Sequence, residues 1–207
     1  REKKNNISFQ INADLNKEAY QIDVNSKGIV ISASGKSGWF YGVQSLRQLL
    51  RNSLEIPAVS ISDAPRFGWR AYMLDESRYF QGETFVKQIL DEMALLKMNI
   101  FHWHLTDDAG WRIEIKKYPK LTEIGSKRKD SEIVTWKSGK TSGEPHSGFY
   151  TQEQIKSIVA YAAERHITIV PEFEMPGHSS SAIASYTWLG TAGKEIEVPV
   201  KFGRHYD

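Results

Sequence analysis

The sequence of 207 residues predicts an α/β fold in two parts, a short α+β region and a longer region of alternating strands and helices. Apolar residues alternate with polar ones along the segments before residue 65, whereas strand-like and helix-like segments follow one another after it. Asp63-Ala64-Pro65 interrupts both patterns, as turn-forming residues do. Together these observations predict two domains, at residues 1–65 and 66–207.

The first part combines strand periodicity with one helix. Apolar residues recur at helical spacing over residues 38–50, which predicts an amphipathic helix whose aromatic run Trp39–Tyr41 packs within the domain. A turn is expected at Asn25–Gly28. Strands are predicted at residues 7–11, 20–24, 29–32 and 56–62.

The second part has the strand–helix alternation of a parallel sheet, which predicts βαβ units with right-handed crossovers. Thr84 is the expected N-cap of the first helix. Thr151 and Gln154 have the spacing of a capping box at the start of the second helix. The Gly-, Ser- and Lys-rich residues 126–148 are expected to form a surface loop. The predicted strands are residues 69–74, 99–105 and 167–172.

The composition excludes several classes of protein. The 27 Lys and Arg against 25 Asp and Glu give a formal net charge of +2, which is too small to indicate a nucleic-acid partner. The sequence contains no Cys, which excludes disulfides, thiolate zinc sites and Cys nucleophiles. Because no run of about 18 apolar residues occurs, no membrane span is predicted. Aromatic residues make up 12% of the chain, and their ring faces suit carbohydrate sites as well as cores.

Ionisable residues follow all three strands of the second part. Asp75–Arg78 comes after the first strand, His102–Asp108 spans the end of the second, and Glu172–His178 spans the end of the third. Ligands bind at the carboxyl ends of parallel strands, so these segments predict a common site. His102 and His104 lie on one face of the second strand, opposite an apolar face that is expected to pack under the helices.

Structural explanations exist for each of these residues when it is taken alone. The two strand histidines are equally consistent with core side chains whose hydrogen bonds are satisfied. His178 follows Pro176-Gly177 and is consistent with a loop histidine, and Arg78 with a solvated cation. Glu172 and Glu174 fit either a carboxylate pair or a solvated loop. What favours a site is their common position at the strand ends.

Two further alternatives concern metal ions and aromatic residues. His-x-His with nearby carboxylates has the ligand chemistry of metal-dependent hydrolases. In such enzymes the pair usually opens the first barrel strand, whereas here a strand–helix unit precedes it. Trp103 is expected in the core, and Trp111 is a candidate for stacking on a sugar.

Several blocks of the sequence resemble the family 20 glycoside hydrolases, the β-N-acetylhexosaminidases. In the second part they are Trp69–Arg78, Lys97–Asp108, Trp111–Ile115 and Pro171–His178, with the order and separations of that family. Residues 1–65, including Gly38–Leu46, resemble the latter part of the α+β domain that precedes the barrel. The resemblance covers nearly the whole chain.

The resemblance implies an architecture and a reaction. The chain would hold the first part, about three β/α units, of a (β/α)8 TIM barrel, preceded by part of a small α+β domain. The implied enzyme removes terminal non-reducing N-acetylglucosamine or N-acetylgalactosamine from glycans, with retention and with the acetamido group of the substrate as nucleophile. No metal or cofactor is implied. The implied partner is a glycan, and the oligomeric state is left open.

The same resemblance implies roles for five residues. Arg78 matches an Arg that binds sugar hydroxyls, and His104 matches a histidine that lines the pocket. Asp107 and His178 match a pair that helps to set the pKa of the general acid. Glu174 is expected to contact substrate, although many members of the family have Asp at this position.

The sequence departs from the family pattern in two further ways. Tyr79 stands where many members have His, which leaves the details of the sugar subsite open. In the family an Asp-Glu pair at the end of the fourth strand orients the acetamido group and protonates the leaving oxygen. The Asp-Glu dipeptides of this chain, Asp75-Glu76 and Asp91-Glu92, fall at the end of the first strand and inside a helix.

The catalytic pair is therefore expected beyond residue 207, so that the chain would be a fragment cut at both ends and inactive alone. The chain opens on Arg1–Lys4, without the apolar segment of a signal peptide. The family resemblance nevertheless implies export, to the periplasm, the cell surface or the medium. A carbohydrate-binding module that lost its chemistry is the alternative from another class of protein, and a metal-dependent barrel hydrolase is a third.

Overall fold

The computed structural model describes residues 6–51, 53, 55–135 and 138–200. Three parts of the chain that the sequence analysis discussed lie outside the described residues. They are Arg1–Lys4, residues 136 and 137 of the predicted loop, and the last residue, Asp207. Within the part that the structure describes, no helix is both long and apolar enough to cross a membrane.

The chain divides into two compact units, each made of segments that are not contiguous in sequence. The first unit is Arg1–Ala71 together with Leu90–Ile100 and Glu164–Ile167. The second unit is Tyr72–Ile89 together with Phe101–Ala163 and Thr168–Asp207. The boundary after residue 65 stays a prediction.

A four-stranded sheet forms most of the first unit. Its strands are β1 at Asn6–Ile11, β2 at Tyr20–Asn25, β3 at Gly28–Ala33 and β4 at Val59–Asp63. Their order is β1-β3-β2-β4, with β1 parallel to β3 and with β2 antiparallel to both of its neighbours. The last strand begins at Val59 rather than at the predicted residue 56, beyond Pro57, which has no N–H to donate to a sheet.

Helix α1, Lys36–Leu49, confirms the predicted helix and packs on this sheet. Its buried side chains Tyr41 and Leu46 join Tyr20, Ile22 and Ile31 in one hydrophobic core. The helix approaches the sheet closely because residue 42 is Gly: a Cβ there would lie 2.6 Å from a methyl group of Ile31. The aromatic run Trp39–Tyr41 packs against this core as expected.

The other elements follow in the predicted alternation, with additional short elements inserted. In chain order they are β5 (Ala71–Asp75), α2 (Glu83–Leu95), β6 (Ile100–His104), β7 (Thr106–Asp107), β8 (Gly110–Trp111), α3 (Lys120–Glu123), β9 (Lys127–Arg128), β10 (His146–Ser147), α4 (Gln152–Ala163), β11 (Thr168–Glu172), α5 (Ser180–Ser185) and a 3-10 turn (Thr187–Leu189).

The strands that carry the candidate site form one sheet in the order β11-β6-β5. Helix α2 connects β5 to β6, and α4 lies in the connection from β6 to β11, which is how adjacent parallel strands are joined. The three strand predictions are thus confirmed to within two residues. On β6, Phe101 and Trp103 are buried as predicted for the apolar face.

The helix starts test the two capping predictions. The capping box is confirmed, since the Gln154 N–H donates to Thr151 Oγ1 at 3.2 Å and the Thr151 N–H donates to Gln154 Oε1 at 2.9 Å. The N-cap prediction for Thr84 is wrong, because α2 already begins at Glu83. Within the predicted loop at 126–148, the short strands β9 and β10 pair antiparallel, with Arg128 opposite His146.

Candidate functional site

Arg78 lies just after β5 and is held between two carboxylates. Its Nη1 is 2.5 Å from Asp75 Oδ2, and its Nη2 is 2.6 Å from Asp107 Oδ2. The backbone N–H of Arg78 also donates to Asp75 Oδ1. The side chain of Arg78 remains 35% exposed, so the guanidinium is fixed in place yet accessible to a ligand.

Asp107 is the buried centre of the cluster. It lies in the β7–β8 hairpin, which follows β6 directly and pairs Asp107 with Gly110. The side chain of Asp107 is 3% exposed, and its Oδ1 accepts a hydrogen bond from the Asp108 N–H. The neighbouring Asp108 accepts from both the N–H and the hydroxyl of Ser180 at the start of α5, which ties this hairpin to the segment after β11.

His178 comes from that segment and completes the cluster. Its Nδ1 lies 3.2 Å from Asp107 Oδ1 and 3.7 Å from Asp108 Oδ2. Its backbone has φ of 54°, the left-handed region that non-glycine residues rarely occupy. Desolvation alone would lower the pKa of His178, but Asp107, Asp108 and Glu174 together raise it. The imidazolium form is therefore favoured next to the two aspartates.

A second group of titratable side chains surrounds His104, which is 4% exposed. The His104 Nε2 lies 3.4 Å from Asp107 Oδ2, 3.7 Å from Glu172 Oε1 and 4.0 Å from Glu174 Oε1. His102, on the same face of β6, pairs with Glu172 at 2.5 Å. The predicted residues Arg78, His104, Asp107, Glu174 and His178 are thus brought together at the ends of β5, β6 and β11.

The local environment shifts two carboxyl pKa values in opposite directions. Burial would raise the pKa of Asp75, but hydrogen bonds from Ser77 and Arg78 outweigh it and lower the pKa. Burial and a hydrogen bond with Glu172 raise the pKa of Glu174. The site therefore has a stably anionic carboxylate beside the arginine and a second carboxyl group that retains its proton more readily.

Among the residues that the structure describes, two groups of side chains have atoms close enough together to ligate a metal ion. They are His104 with Glu172 and Glu174, and Asp107 with Asp108 and His178, each with donor atoms within 4.8 Å of one another. The second group already has a cation, because Arg78 forms an ion pair with Asp107. The carboxylates of both groups are engaged in ion pairs and hydrogen bonds with the protein itself.

Glu76, next to Asp75 in sequence, is fully buried on the other side of the strand end. Its carboxylate accepts four hydrogen bonds, from the Gln81 and Gly82 N–H groups, the Trp103 indole and the Tyr150 hydroxyl. Desolvation raises the pKa of Glu76 in spite of these four bonds. Asp75-Glu76 therefore cannot act as an accessible catalytic pair, and the other Asp-Glu dipeptide lies within α2.

Arg112 is the buried counterpart of Arg78 and was not identified from the sequence. It is fully buried and donates to the carbonyl groups of Glu76, Ser77, Ser126 and Gly148. Burial lowers the pKa of Arg112 to about 9. This arginine joins the residues after β5 to the segment from Ser126 to Gly148, and so it supports the loops on which the site is built.

Tyr79, where the sequence departs from the family pattern, stacks on His146 of strand β10. The ring centroids are 4.2 Å apart with an interplanar angle of 26°, and Tyr79 is 53% exposed. His146 accepts a hydrogen bond from the Phe80 N–H, and burial lowers the pKa of His146 to about 4. The pair therefore presents a neutral aromatic surface immediately after Arg78.

Two family models match the chain. The one described as "Glycosyl hydrolase family 20, catalytic domain" matches residues 67–205, and the one described as "Glycosyl hydrolase family 20, domain 2" matches residues 1–64. Both matches agree with the resemblance that the sequence blocks carry.

Curated and solved relatives agree with these family matches. A "Beta-hexosaminidase" of Porphyromonas gingivalis is 42% identical over 203 residues, which are 93% of this chain and 25% of that protein. A beta-N-acetylhexosaminidase structure from Bacteroides fragilis has a TM-score of 0.80 at 42% identity and covers 93% of this chain and 37% of that one. A family 20 exo-beta-N-acetylglucosaminidase structure from Vibrio harveyi, in complex with N-acetylglucosamine, has a TM-score of 0.79 at 42% identity over 89% of this chain and 29% of that one. The chain thus spans about a quarter of the length of the first of these relatives.

Proposed function

Because the chain belongs to glycosyl hydrolase family 20, we propose that it forms part of a β-N-acetylhexosaminidase, including the first β/α units of a (β/α)8 barrel and part of the domain before it. The enzyme removes terminal non-reducing N-acetylglucosamine or N-acetylgalactosamine from glycans. The observation that carries this proposal is the array Arg78–Asp107–His178, held by ion pairs at the strand ends where a barrel binds its substrate.

Arg78 binds hydroxyl groups of the terminal sugar. A guanidinium has five N–H donors in a fixed fork, and two of its nitrogens are already oriented by Asp75 and Asp107. The ion pairs hold the side chain in one position before a sugar arrives, so little conformational entropy is lost on binding. The exposed part of the Arg78 guanidinium can then donate hydrogen bonds to the hydroxyl oxygens of the sugar.

Asp107 and His178 act on the general acid through a hydrogen-bonded chain. Asp107 lies 3.2 Å from the imidazole and stabilises its charged form. An imidazolium beside a carboxylic acid favours loss of the proton of that acid, so this pair tunes the pKa of the general acid. Both residues are positioning residues in this scheme, since neither contacts the reacting atoms.

The reaction proceeds with retention and with help from the substrate. The acetamido carbonyl oxygen forms a bond to the anomeric carbon while the glycosidic bond breaks, and the leaving oxygen takes a proton from the general acid. Water then adds to the anomeric carbon and restores the acetamido group. The Asp-Glu pair that orients the acetamido group and supplies the proton lies beyond residue 207 in this proposal, because Glu76 is buried and Asp75 is paired with Arg78.

The proposal predicts that the 207-residue chain binds N-acetylglucosamine but does not hydrolyse a chromogenic N-acetylglucosaminide. Turnover by the purified chain would contradict the assignment of the acid to a downstream segment. In a longer chain that includes the next strand, Asp107→Asn and His178→Ala should lower kcat and displace the pH–rate profile. Unchanged profiles would refute the role of these residues in setting the pKa of the acid.

The metal-dependent alternative rests on the two groups of possible ligands described above. Metal analysis of the purified protein and of a His104→Gln variant tests it: one tightly bound zinc in the first and none in the second would favour this alternative. We also propose, from the family resemblance, that the enzyme is exported. Cell fractionation with an antibody against the chain tests that assignment.

A further inference from the structure

Three consecutive residues after strand β5, Arg78, Tyr79 and Phe80, all contact the β9–β10 strand pair. The Arg78 carbonyl accepts a hydrogen bond from Arg128 Nη2 at 2.6 Å. The Phe80 N–H donates to His146 Nε2 at 2.9 Å, and the ring of Tyr79 stacks on the same histidine at 4.2 Å. The strand pair therefore holds the backbone of the segment that carries the arginine of the candidate site.

The two side chains that make these contacts come from different strands. Arg128 lies on β9 directly opposite His146 on β10, and residues in such opposite positions share one face of a strand pair. The ring of Phe80 packs against the backbone just after β10, where a Cβ on Gly148 would lie 2.1 Å from it. The contacts with Arg78 and Phe80 thus depend on the pairing of β9 with β10.

Arg128 also contacts the segment that carries Asp107. Its Nη1 donates to the carbonyl of Ala109 at 2.9 Å, in the turn between β7 and β8, and its Nε donates to Ser131 Oγ at 2.9 Å. Arg128 is buried, and burial lowers its pKa to about 10, which leaves the guanidinium charged at neutral pH. One buried guanidinium thus joins the two backbone segments that carry the ion pair of Arg78 with Asp107.

The hydrogen bond from Phe80 determines the state of the His146 ring. Nε2 can accept the Phe80 N–H only when it carries no proton, so the single proton of the neutral ring lies on Nδ1. Burial and the guanidinium groups of Arg128 and Arg112 lower the pKa of His146 to about 4. The acceptor for the Phe80 N–H is therefore present throughout the neutral pH range.

We propose that the β9–β10 pair positions Arg78 for the terminal sugar, with Arg128 and His146 as positioning residues that do not touch the sugar. The ion pairs with Asp75 and Asp107 fix only the guanidinium end of a long side chain. The contacts with β9 and β10 fix its backbone end, so a sugar meets an arginine that is already ordered and less conformational entropy is lost on binding. This inference rests on the proposed function, which assigns the sugar hydroxyls to Arg78.

The first test follows Arg78 by NMR relaxation in the isotope-labelled 207-residue chain without sugar. His146→Phe keeps a ring for Tyr79 and removes the acceptor, so the order parameter of the Arg78 Nε–H should fall by about a third, as from a rigid to a flexible group. His146→Gln places an acceptor oxygen near the position of Nε2 and should keep the wild-type value. His166→Phe, at a histidine of the first unit whose ring lies 5.0 Å from that of Phe40, is the matched control and should also keep it.

The second test measures the affinity for N-acetylglucosamine by calorimetry on the same proteins. His146→Phe and Arg128→Met should each weaken binding about tenfold, because Arg78 is no longer ordered in advance. His146→Gln and the His166→Phe control should change it by less than about twofold. In a longer chain that includes the remaining barrel strands, the two weakening variants should raise KM and leave kcat nearly unchanged, as the loss of uniform binding does.

An Arg78 order parameter that stays at the wild-type value in both His146→Phe and Arg128→Met would overturn this inference. Equal losses in His146→Phe and His146→Gln would also overturn it, because the hydrogen bond from Phe80 would then not carry the effect. A proton on His146 Nε2 in the wild type at pH 7, detected by NMR, would overturn it without any variant. If the wild type binds no N-acetylglucosamine, the proposed function is contradicted, whereas the mobility of Arg78 still decides whether β9 and β10 position it.

Discussion

Asp75 and Glu76 are neighbours at the end of one strand, yet they serve opposite purposes. Asp75 points to the polar cluster, where it is partly exposed and paired with Arg78. Glu76 points to the interior, where it has no exposed surface and accepts hydrogen bonds from four neutral donors. One carboxylate thus belongs to an accessible cluster that can bind a ligand, and the other belongs to a buried network that stabilises the loops.

The two arginines differ in the same way. Arg78 forms ion pairs with carboxylates and keeps about a third of its side chain exposed. Arg112 is fully buried and donates to backbone carbonyl groups of segments that are distant in sequence. The difference teaches that a charged side chain does not by itself identify a ligand-binding site. Its accessibility and the kind of hydrogen-bond partner that it has do so.

The largest expected effect is on the buried network. Arg112→Met leaves the carbonyl groups of Ser77, Ser126 and Gly148 without a donor in the interior, so the free energy of unfolding should fall by more than about 3 kcal/mol. Urea unfolding of the purified chain measures it. Arg66→Met, at an exposed arginine, is the control and should change stability by less than about 0.5 kcal/mol. A loss as small as that of the control would contradict the structural role of Arg112.

Tyr150→Phe should have the next largest effect. It removes one hydrogen bond to the Glu76 carboxylate and leaves the ring in place, so the free energy of unfolding should fall by about 1.5–3 kcal/mol. Tyr72→Phe, at a tyrosine that is 41% exposed, is the matched control in the same assay. Equal stability of the two variants would show that Glu76 does not depend on this donor.

The pH dependence of stability separates Asp75 from Glu76. The folded pKa of Asp75 is lowered, so its contribution is present above about pH 3.9 and is lost as pH falls through the folded pKa. The folded pKa of Glu76 is raised, so its contribution is present below about pH 4.3 and is lost as pH rises through the folded pKa.

Unfolding of the wild type, Asp75→Asn and Glu76→Gln between pH 3 and 7 measures this difference. The stability advantage of the wild type should grow with pH relative to Asp75→Asn and shrink with pH relative to Glu76→Gln. If the stability difference between the wild type and each variant changed with pH in the same direction in both comparisons, the proposed difference between the accessible and the buried carboxylate would be contradicted.

His178 should have the smallest effect on stability. Its folded pKa is raised by the nearby carboxylates, so its stabilising contribution is present below about pH 6.5 and disappears as pH rises through the folded pKa. The stability difference between the wild type and His178→Gln should therefore be larger at pH 5.5 than at pH 8.5. A difference that grows with pH would show that His178 is held as a neutral ring instead.

Most of the candidate site could be predicted from the sequence, because the periodicity of apolar residues locates the strands and the parallel topology brings the strand ends together. The strand ends after β5, β6 and β11 are visible as apolar segments followed by ionisable residues, and the capping box places α4 by local hydrogen bonds alone. The contact of Arg78 with Asp107 joins residues 29 positions apart, and neither a local pattern nor the resemblance predicted it.

The buried network could not be predicted in the same way. Alternation along a strand places Asp75 and Glu76 on opposite faces, and this was the one signal that could have identified Glu76 as buried. Nothing local distinguishes Arg112 from a surface arginine, because its acceptors are carbonyl groups that only the folded loops bring together. Gly110 offers a further constraint: a Cβ there would lie 2.2 Å from the Arg112 guanidinium.

The most direct test of the central claim is an NMR titration of the isotope-labelled 207-residue chain with N-acetylglucosamine. The account predicts saturable shifts of the Arg78 side-chain N–H signals and of the His178 ring, while the buried Arg112 signals stay in place. Arg78→Lys, which keeps the charge but removes the guanidinium fork, should abolish saturation. No saturable shift at Arg78 and His178 in the wild type would contradict the assignment of this cluster as the site of the terminal sugar.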